Sequence, residues 1–173
     1  MLHMIQKCSS IKVAGIFFEE PTEIHFIREI SKKINLAPTS VKKHLSEFEK
    51  ESFIIKQKSK PFDGYVSNRE NPDFIFYKRL YNLAGLRELK DYLERKFSPK
   101  LVVVFGSYST GEDIESSDID LLIATKGKKN FDFKKFEKSL KREINPIIVD
   151  DLNKLEQPLK NQIYNGVALL GGF

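Results

Sequence analysis

The segment Leu101 to Thr125, LVVVFGSYSTGEDIESSDIDLLIAT, constrains the fold of this chain more than any other. It opens on Leu101-Val102-Val103-Val104-Phe105, a short apolar run rich in β-branched residues that predicts a strand buried on both faces. The run breaks at Gly106-Ser107, a loop rich in Ser, Gly and acidic residues follows, and a second strand is predicted from Ser117 to Ala124. Asp118 and Asp120 stand two residues apart on it and therefore point to the same face. Side-by-side carboxylates repel each other, so a D-x-D pair at the mouth of a buried strand is a candidate divalent-cation site, and hard oxygen ligands suit Mg2+. Glycine lets the backbone approach a phosphate closely, and Ser107 adds an N–H and a hydroxyl for its oxygens. The competing reading is a plain hairpin with Asp118 and Asp120 solvated at its end. Gly-Ser and D-x-D together, flanked by apolar strands, favour the functional reading.

This pattern resembles the motif of the DNA polymerase beta nucleotidyltransferase superfamily, most closely its minimal nucleotidyltransferase branch, over about Leu83 to the C-terminus. The resemblance implies an α+β domain with a mixed sheet flanked by helices. It also implies that Gly106 and Ser107 hold a triphosphate, and that Asp118 and Asp120 are catalytic and bind Mg2+. The implied reaction moves a nucleoside monophosphate from an NTP, with ATP as the expected donor, to an acceptor hydroxyl. Members of antitoxin type modify a partner protein, which makes a toxin-type protein partner the acceptor suggested by resemblance alone. One departure stands out. The family usually places a third carboxylate on the next strand, where this chain reads Glu143-Ile144-Asn145-Pro146-Ile147-Ile148-Val149-Asp150. Asn145 aligns with that acid and is an amide, able to ligate a metal but unable to act as a base. Glu143 shares its face by alternation and is the other candidate third ligand. Two carboxylates can hold one nucleotide-bound ion, whereas two-metal chemistry loses a ligand.

A chain of 173 residues with 40% hydrophobic content can build one or two small domains with real cores. Its 29 Lys and Arg against 24 Asp and Glu, a net charge of +5, lean towards a polyanionic partner. The excess is concentrated early: residues 1–82 hold 14 basic against 10 acidic side chains, a net of +4. No apolar run approaches the roughly 18 residues of a membrane span, and the N-terminus lacks a secretory apolar region, so no membrane association and a cytoplasmic location are expected. The single Cys8 rules out an internal disulfide and a Cys-rich zinc site. His3, His25 and His44 are scattered without ligand spacing.

The first half predicts three short helices and a hairpin. Ile11, Val13, Ile16 and Phe17 mark a helix over Ser9 to Phe18. Thr22 is a candidate cap for a second, with Ile24, Ile27, Ile30 and Ile34 at helical spacing. Asn35-Leu36-Ala37 is a tight turn, and Pro38 opens a third helix with Val41, Leu45 and Phe48 inward. Strands at Phe53 to Lys58 and Tyr65 to Asn68 pair across Pro61-Phe62-Asp63-Gly64. This order resembles winged helix-turn-helix DNA-binding domains over about Ile5 to Arg69. The resemblance implies double-stranded DNA as a partner, with the third helix in the major groove. Lys42, Lys43, Lys56, Lys58 and Lys60 would meet phosphate, and Thr39, Ser40 and Ser46 would reach base edges. Winged-helix regulators often read paired half-sites, which suggests a homodimer.

The expected organisation is therefore a winged helix-turn-helix domain over 1–70, a connector helix over 71–84 with Lys78 and Arg79 exposed and its aromatic residues in the core, and a nucleotidyltransferase domain over 85–173. In the last, a helix from Leu86 to Phe97 precedes the two strands. A basic loop at Lys126 to Lys129, a helix from Phe131 to Arg142 and a third strand from Ile144 to Val149 follow, and Val167 to Leu170 is a packing tail. Two functions fit this organisation: an enzyme of nucleotidyl transfer, or a DNA-binding regulator whose second domain is a catalytically impaired nucleotide sensor.

Overall fold

The structure, a computed structural model, describes residues 8–58, 62–127 and 130–172. They form two compact units, Met1–Tyr81 and Asn82–Phe173. In the first, the apolar periodicity yields helices α1 (Ser9–Glu19), α2 (Ile27–Ile34) and α3 (Pro38–Lys50), then strands β1 (Ile54–Gln57) and β2 (Gly64–Ser67). Pro38 occupies the first turn of α3, where its missing N–H costs nothing. Asn35 ends α2 in the left-handed conformation, with φ at 50°. β1 and β2 pair antiparallel, Ile54 opposite Ser67 and Gln57 opposite Gly64. The core gathers Val13, Ile16, Phe17, Ile30, Val41, Leu45, Ile54 and Phe74.

Thr22 does not cap α2. His25 bridges Tyr65 of β2 through reciprocal backbone bonds of 2.8 and 2.9 Å. That bridge holds the segment extended, so the helix starts only at Ile27, after Phe26, without a side-chain cap.

Helix α4 (Pro72–Gly85) begins in the first unit. Phe74 is fully buried there, its ring centroid 5.3 Å from Phe18 and 5.5 Å from Phe53. Lys78, expected in solvent, is also fully buried, whereas Phe76, Tyr77 and Leu80 are exposed. The reason is rotational: Lys78 follows Phe74 by four residues and so falls on the same buried face of α4, whatever its polarity.

The second unit runs α5 (Arg87–Phe97), β3 (Leu101–Phe105), α6 (Gly106–Thr110), β4 (Ile119–Ala124), α7 (Lys134–Leu140), β5 (Ile144–Val149), a 3-10 turn at Leu152–Lys154, α8 (Gln157–Tyr164) and β6 (Val167–Leu170). The strands form one mixed sheet in the order β5-β4-β3-β6. β3 is antiparallel to β4 and β6, and β4 is parallel to β5. Alternation sorts the side chains. Val102, Val104, Leu121 and Ile123 pack with Leu89, Leu93 and Phe136 on one face, and Leu101, Val103, Phe105 and Leu122 pack with Ile163 of α8 on the other. Both central strands are thus buried on two faces, as the unbroken apolar run requires.

Two expectations change here. Val167–Leu170 is not merely packing but an edge strand, and Gly166 lets it start close to β3, since a Cβ there would meet the Val104 carbonyl at 2.5 Å. The helix predicted over residues 131–142 is shorter, closing where Lys141 turns left-handed at φ 55°. Of the basic loop, Lys128 and Lys129 lie outside the described residues. Among the described residues no helix is long and apolar enough to cross a membrane.

The rotation of α4 is testable. Phe74→Ala should cost about 3–5 kcal/mol in urea unfolding, as for other buried phenylalanines. Phe76→Ala, two residues away on the exposed side, should change stability by less than about 0.5 kcal/mol.

Candidate functional site

Sheet topology brings three strand ends together: the C-terminal end of β3 and the N-terminal ends of β4 and β5. Phe105 lies opposite Asp120 across the antiparallel pair, and Asp120 lies opposite Asn145 across the parallel one. The Asn145 side chain donates from Nδ2 to Asp120 Oδ1 at 3.2 Å. Gly106, directly after β3, turns at φ 70°, and a Cβ there would lie 2.5 Å from Asp120 Oδ2. Both the backbone angle and the space therefore demand glycine. The segment after it, expected as loop, begins as the single helical turn α6, which Gly111 closes at φ 86°. Ser107 is half-buried in that turn, and its carbonyl accepts from the Gly111 and Glu112 amides and from Thr110 Oγ1.

Asp118 is exposed and stands just before β4, not inside it. Ser117, expected to open the strand, instead closes a turn with Ile114: Ser117 Oγ accepts the Ile114 amide at 3.0 Å, and the Ser117 amide donates to the Ile114 carbonyl at 3.0 Å. Pairing begins with the Ile119 amide donating to the Glu143 carbonyl at 2.8 Å. Glu143 is exposed and, with Asp118, Glu115, Ser117, Glu137 and Arg142, lines an open groove of about 620 Å³.

Partial burial raises the Asp120 pKa above the ordinary carboxylate value; the Asn145 bond opposes that shift, and the neighbouring Asp118 charge adds to it. Among the described residues no group of three or more His, Cys, Asp or Glu side chains converges as a metal cage. The donor set is two carboxylates and one amide, all hard oxygen donors, with the carboxylates repelling each other. Such a set fits one Mg2+ that keeps part of its water shell.

Sequence reasoning missed a buried polar group beside this site. Asp113, Asn82 and Arg142 are 1%, 4% and 8% exposed. Asn82 Nδ2 donates to Asp113 Oδ1 at 2.7 Å, and Arg142 Nη2 lies 3.6 Å from Asp113 Oδ2. Asp113 sits in an acidic loop and Arg142 in a basic run, so each looks like a solvated charge until the fold pairs them.

On the first unit, Thr39, Lys42, Lys43 and Ser46 lie exposed on α3, spaced so that they share one side, while Ser40 is half-buried. Lys58 is exposed. Lys56 is paired with Asp63 at 3.2 Å, which raises its pKa. Lys60 lies outside the described residues.

A carboxyl whose pKa is raised by folding holds its proton more tightly in the native state. Its contribution to stability is therefore greatest below the ordinary value of about 3.9 and is lost as pH rises through the raised value. In chelator-treated protein, Asp120→Asn should melt above the parent at pH 7. Thermal scans by circular dichroism should show that difference closing as the pH falls towards about 3.9.

Comparison with known proteins bears on the second unit. Residues 87–171 match the family "Polymerase beta, Nucleotidyltransferase". A 38-residue stretch, 22% of this chain, is 47% identical to a protein of Methanocaldococcus jannaschii named "Putative protein adenylyltransferase", and it covers 39% of that relative's length. No solved structure matches the chain. The C-terminal segment thus matches the polymerase-beta-like nucleotidyltransferase superfamily.

Proposed function

We propose that the second unit transfers a nucleoside monophosphate from an NTP, with ATP foremost, to a hydroxyl of a protein acceptor. The observation that carries this reading is the Gly106 backbone lying against the Asp120 carboxylate, with no side chain between them. Gly106 and Ser107 would hold the triphosphate, and Asp118 and Asp120 would hold Mg2+. The bound ion would neutralise the triphosphate and its pyrophosphate leaving group. The acceptor oxygen attacks the α-phosphorus. A new P–O bond forms, the bond to the oxygen bridging the α- and β-phosphates breaks, pyrophosphate departs and the hydroxyl proton passes to solvent. Asn145 holds Asp120 but cannot take that proton, so catalysis rests on positioning and charge. The relative named as a protein adenylyltransferase supports adenylate as the group moved and a protein, of toxin type by resemblance, as the acceptor.

The first unit, in the same proposal, is a winged helix-turn-helix that binds double-stranded DNA as a homodimer. The exposed side of α3 would enter the major groove, with Thr39 and Ser46 at base edges and Lys42 and Lys43 on phosphates. A second reading, that of a regulator whose second unit senses a nucleotide without turning it over, draws its support from the amide at Asn145.

Incubation of the protein with Mg2+, α-labelled ATP and a lysate separates the two readings. Label should enter a protein band, and the Asp118→Ala/Asp120→Ala variant should leave that band dark. Absence of label with the parent, acceptor proteins being present, would leave the sensor. For the first unit, Lys42→Ala/Lys43→Ala should weaken duplex binding alike on all sequences and lower the slope of log affinity against log salt by about 2. An unchanged slope would remove α3 from the interface.

A further inference from the structure

Asp113 and Arg142 form an ion pair that the reaction proposed above does not use. Both are almost fully buried, and burying an ion pair seldom raises stability above that of an apolar pair of similar volume. In some proteins such a pair instead fixes one arrangement of the elements that carry it. Here those elements are the two that deliver the site.

On one side, Asp113 is followed at once by the Ile114–Ser117 turn, closed by reciprocal bonds of 3.0 Å, and Asp118 leaves that turn directly. On the other side, Arg142 donates from Nη1 to the Lys141 carbonyl at 3.0 Å, which fixes the left-handed exit from α7. The Ile144 amide then donates to Glu137 Oε1 at 3.1 Å, and Asn145 follows. Asn82 grips Asp113 Oδ1 at 2.7 Å and the Tyr108 carbonyl at 3.0 Å with the same amide nitrogen, tying the turn to α6. Asp113 is therefore the meeting point of three segments.

The parallel pairing of β4 with β5 is the step these segments control. Parallel neighbours have no hairpin to set their register, and a slip of one residue would turn Asn145 to the opposite face from Asp120. We propose that the Asp113–Arg142 pair is the positioning device that sets this register, and so the placement of Asp118, Asp120 and Asn145 relative to one another. Its effect on transfer rests on the function proposed above; its effect on register does not.

The test is the apolar double variant Asp113→Leu/Arg142→Met in the full chain, with Arg142→Lys beside it. Nuclear Overhauser cross-peaks between the Asp120 and Asn145 strand positions, and the Asn145 side-chain amide signal, report register without any substrate. The double variant should fold and keep the helical circular dichroism of the parent, yet show no Asp120–Asn145 cross-peaks and a shifted Asn145 amide. Its kcat for label transfer should fall about 100-fold, the scale of an ångström-sized misplacement, with KM for ATP within about threefold, since Gly106 and Ser107 stand on α6, directly after β3. Arg142→Lys keeps the charge opposite Asp113 and should keep the cross-peaks. A folded double variant with the parental cross-peaks overturns the proposal, as does an Arg142→Lys spectrum from which they are as completely missing as from that of the double variant. If the double variant fails to fold, Arg142→Lys and Arg142→Met decide it: cross-peaks present in both overturn the proposal, and cross-peaks missing only from Arg142→Met support it. If the parent transfers no label, the enzyme reading fails, and the cross-peaks still decide the register.

Discussion

Gly106 passing beside the Asp120 carboxylate is the constraint on which the second unit depends. A Cβ at that point would sit 2.5 Å from Oδ2, and the chain turns there with φ at 70°, so the end of β3 and the start of β4 share one tight space. Their register is not set locally. Val102 opposite Ile123, Val103 opposite Leu122 and Val104 opposite Leu121 are fully buried rungs, and the Phe105–Asp120 rung is the next in the same ladder. A slip of one residue would turn Asp120 to the face of Leu121 and Val104 and bury its carboxylate among apolar side chains. Apolar burial on both faces therefore holds the polar site in place, and the site inherits its rigidity from the best-packed part of the unit.

Much of this was legible in the sequence because it is local. Apolar runs buried on both faces need no partner to be recognised, and a Gly-Ser break followed by D-x-D carries its own chemistry. The helices of the first unit follow from periodicity, with Pro38 and Asn35 marking a start and an end. The rest depends on contacts between distant residues. Nothing near Thr22 reveals that Tyr65 will hold His25 extended. Nothing in YKRLYN says that Lys78 falls on the buried face with Phe74, because a lysine is expected outside and the helix is rich in aromatic residues. Val167 to Leu170 is too short to separate from a packing tail until β3 offers it an edge. Asp113 and Arg142 were hidden for the same reason, each lying in a run of like charge.

The cationic surface of the first unit is narrower than its composition suggests. The 14 basic side chains of residues 1–82 include Lys56 and Lys33, which pair with Asp63 and Glu20 and so present no isolated cation, although the net charge of +4 is unchanged. Both pairs are exposed, so each contributes little to stability. They matter through what they remove from the field. On α3, Lys42 and Lys43 stand on the side opposite Val41 and Leu45, and the packing of those two side chains fixes which way the lysines face. A helix whose inner stripe is fully buried cannot rotate, so its outward charges keep one direction.

The two carboxylates at the mouth of β4 are treated unequally, and the inequality bears on chemistry. Asp120 belongs to the ladder, is partly desolvated and receives an N–H from Asn145; Asp118 stands outside the ladder and in solvent. Desolvating both would add a second burial cost to their mutual repulsion, and exposing both would leave neither with a fixed direction. The fold instead fixes one and leaves the other accessible. An acid in place of Asn145 would bring a third negative charge against Asp120 at hydrogen-bond distance, where the amide brings a donor. The amide thus offsets the local repulsion by supplying a bond, at the cost of the basic group that a carboxylate would have provided. In the transfer proposed above, a site built this way would suit an acceptor hydroxyl that needs orientation and charge neutralisation more than proton removal, because Asn145 has no proton-accepting group to offer.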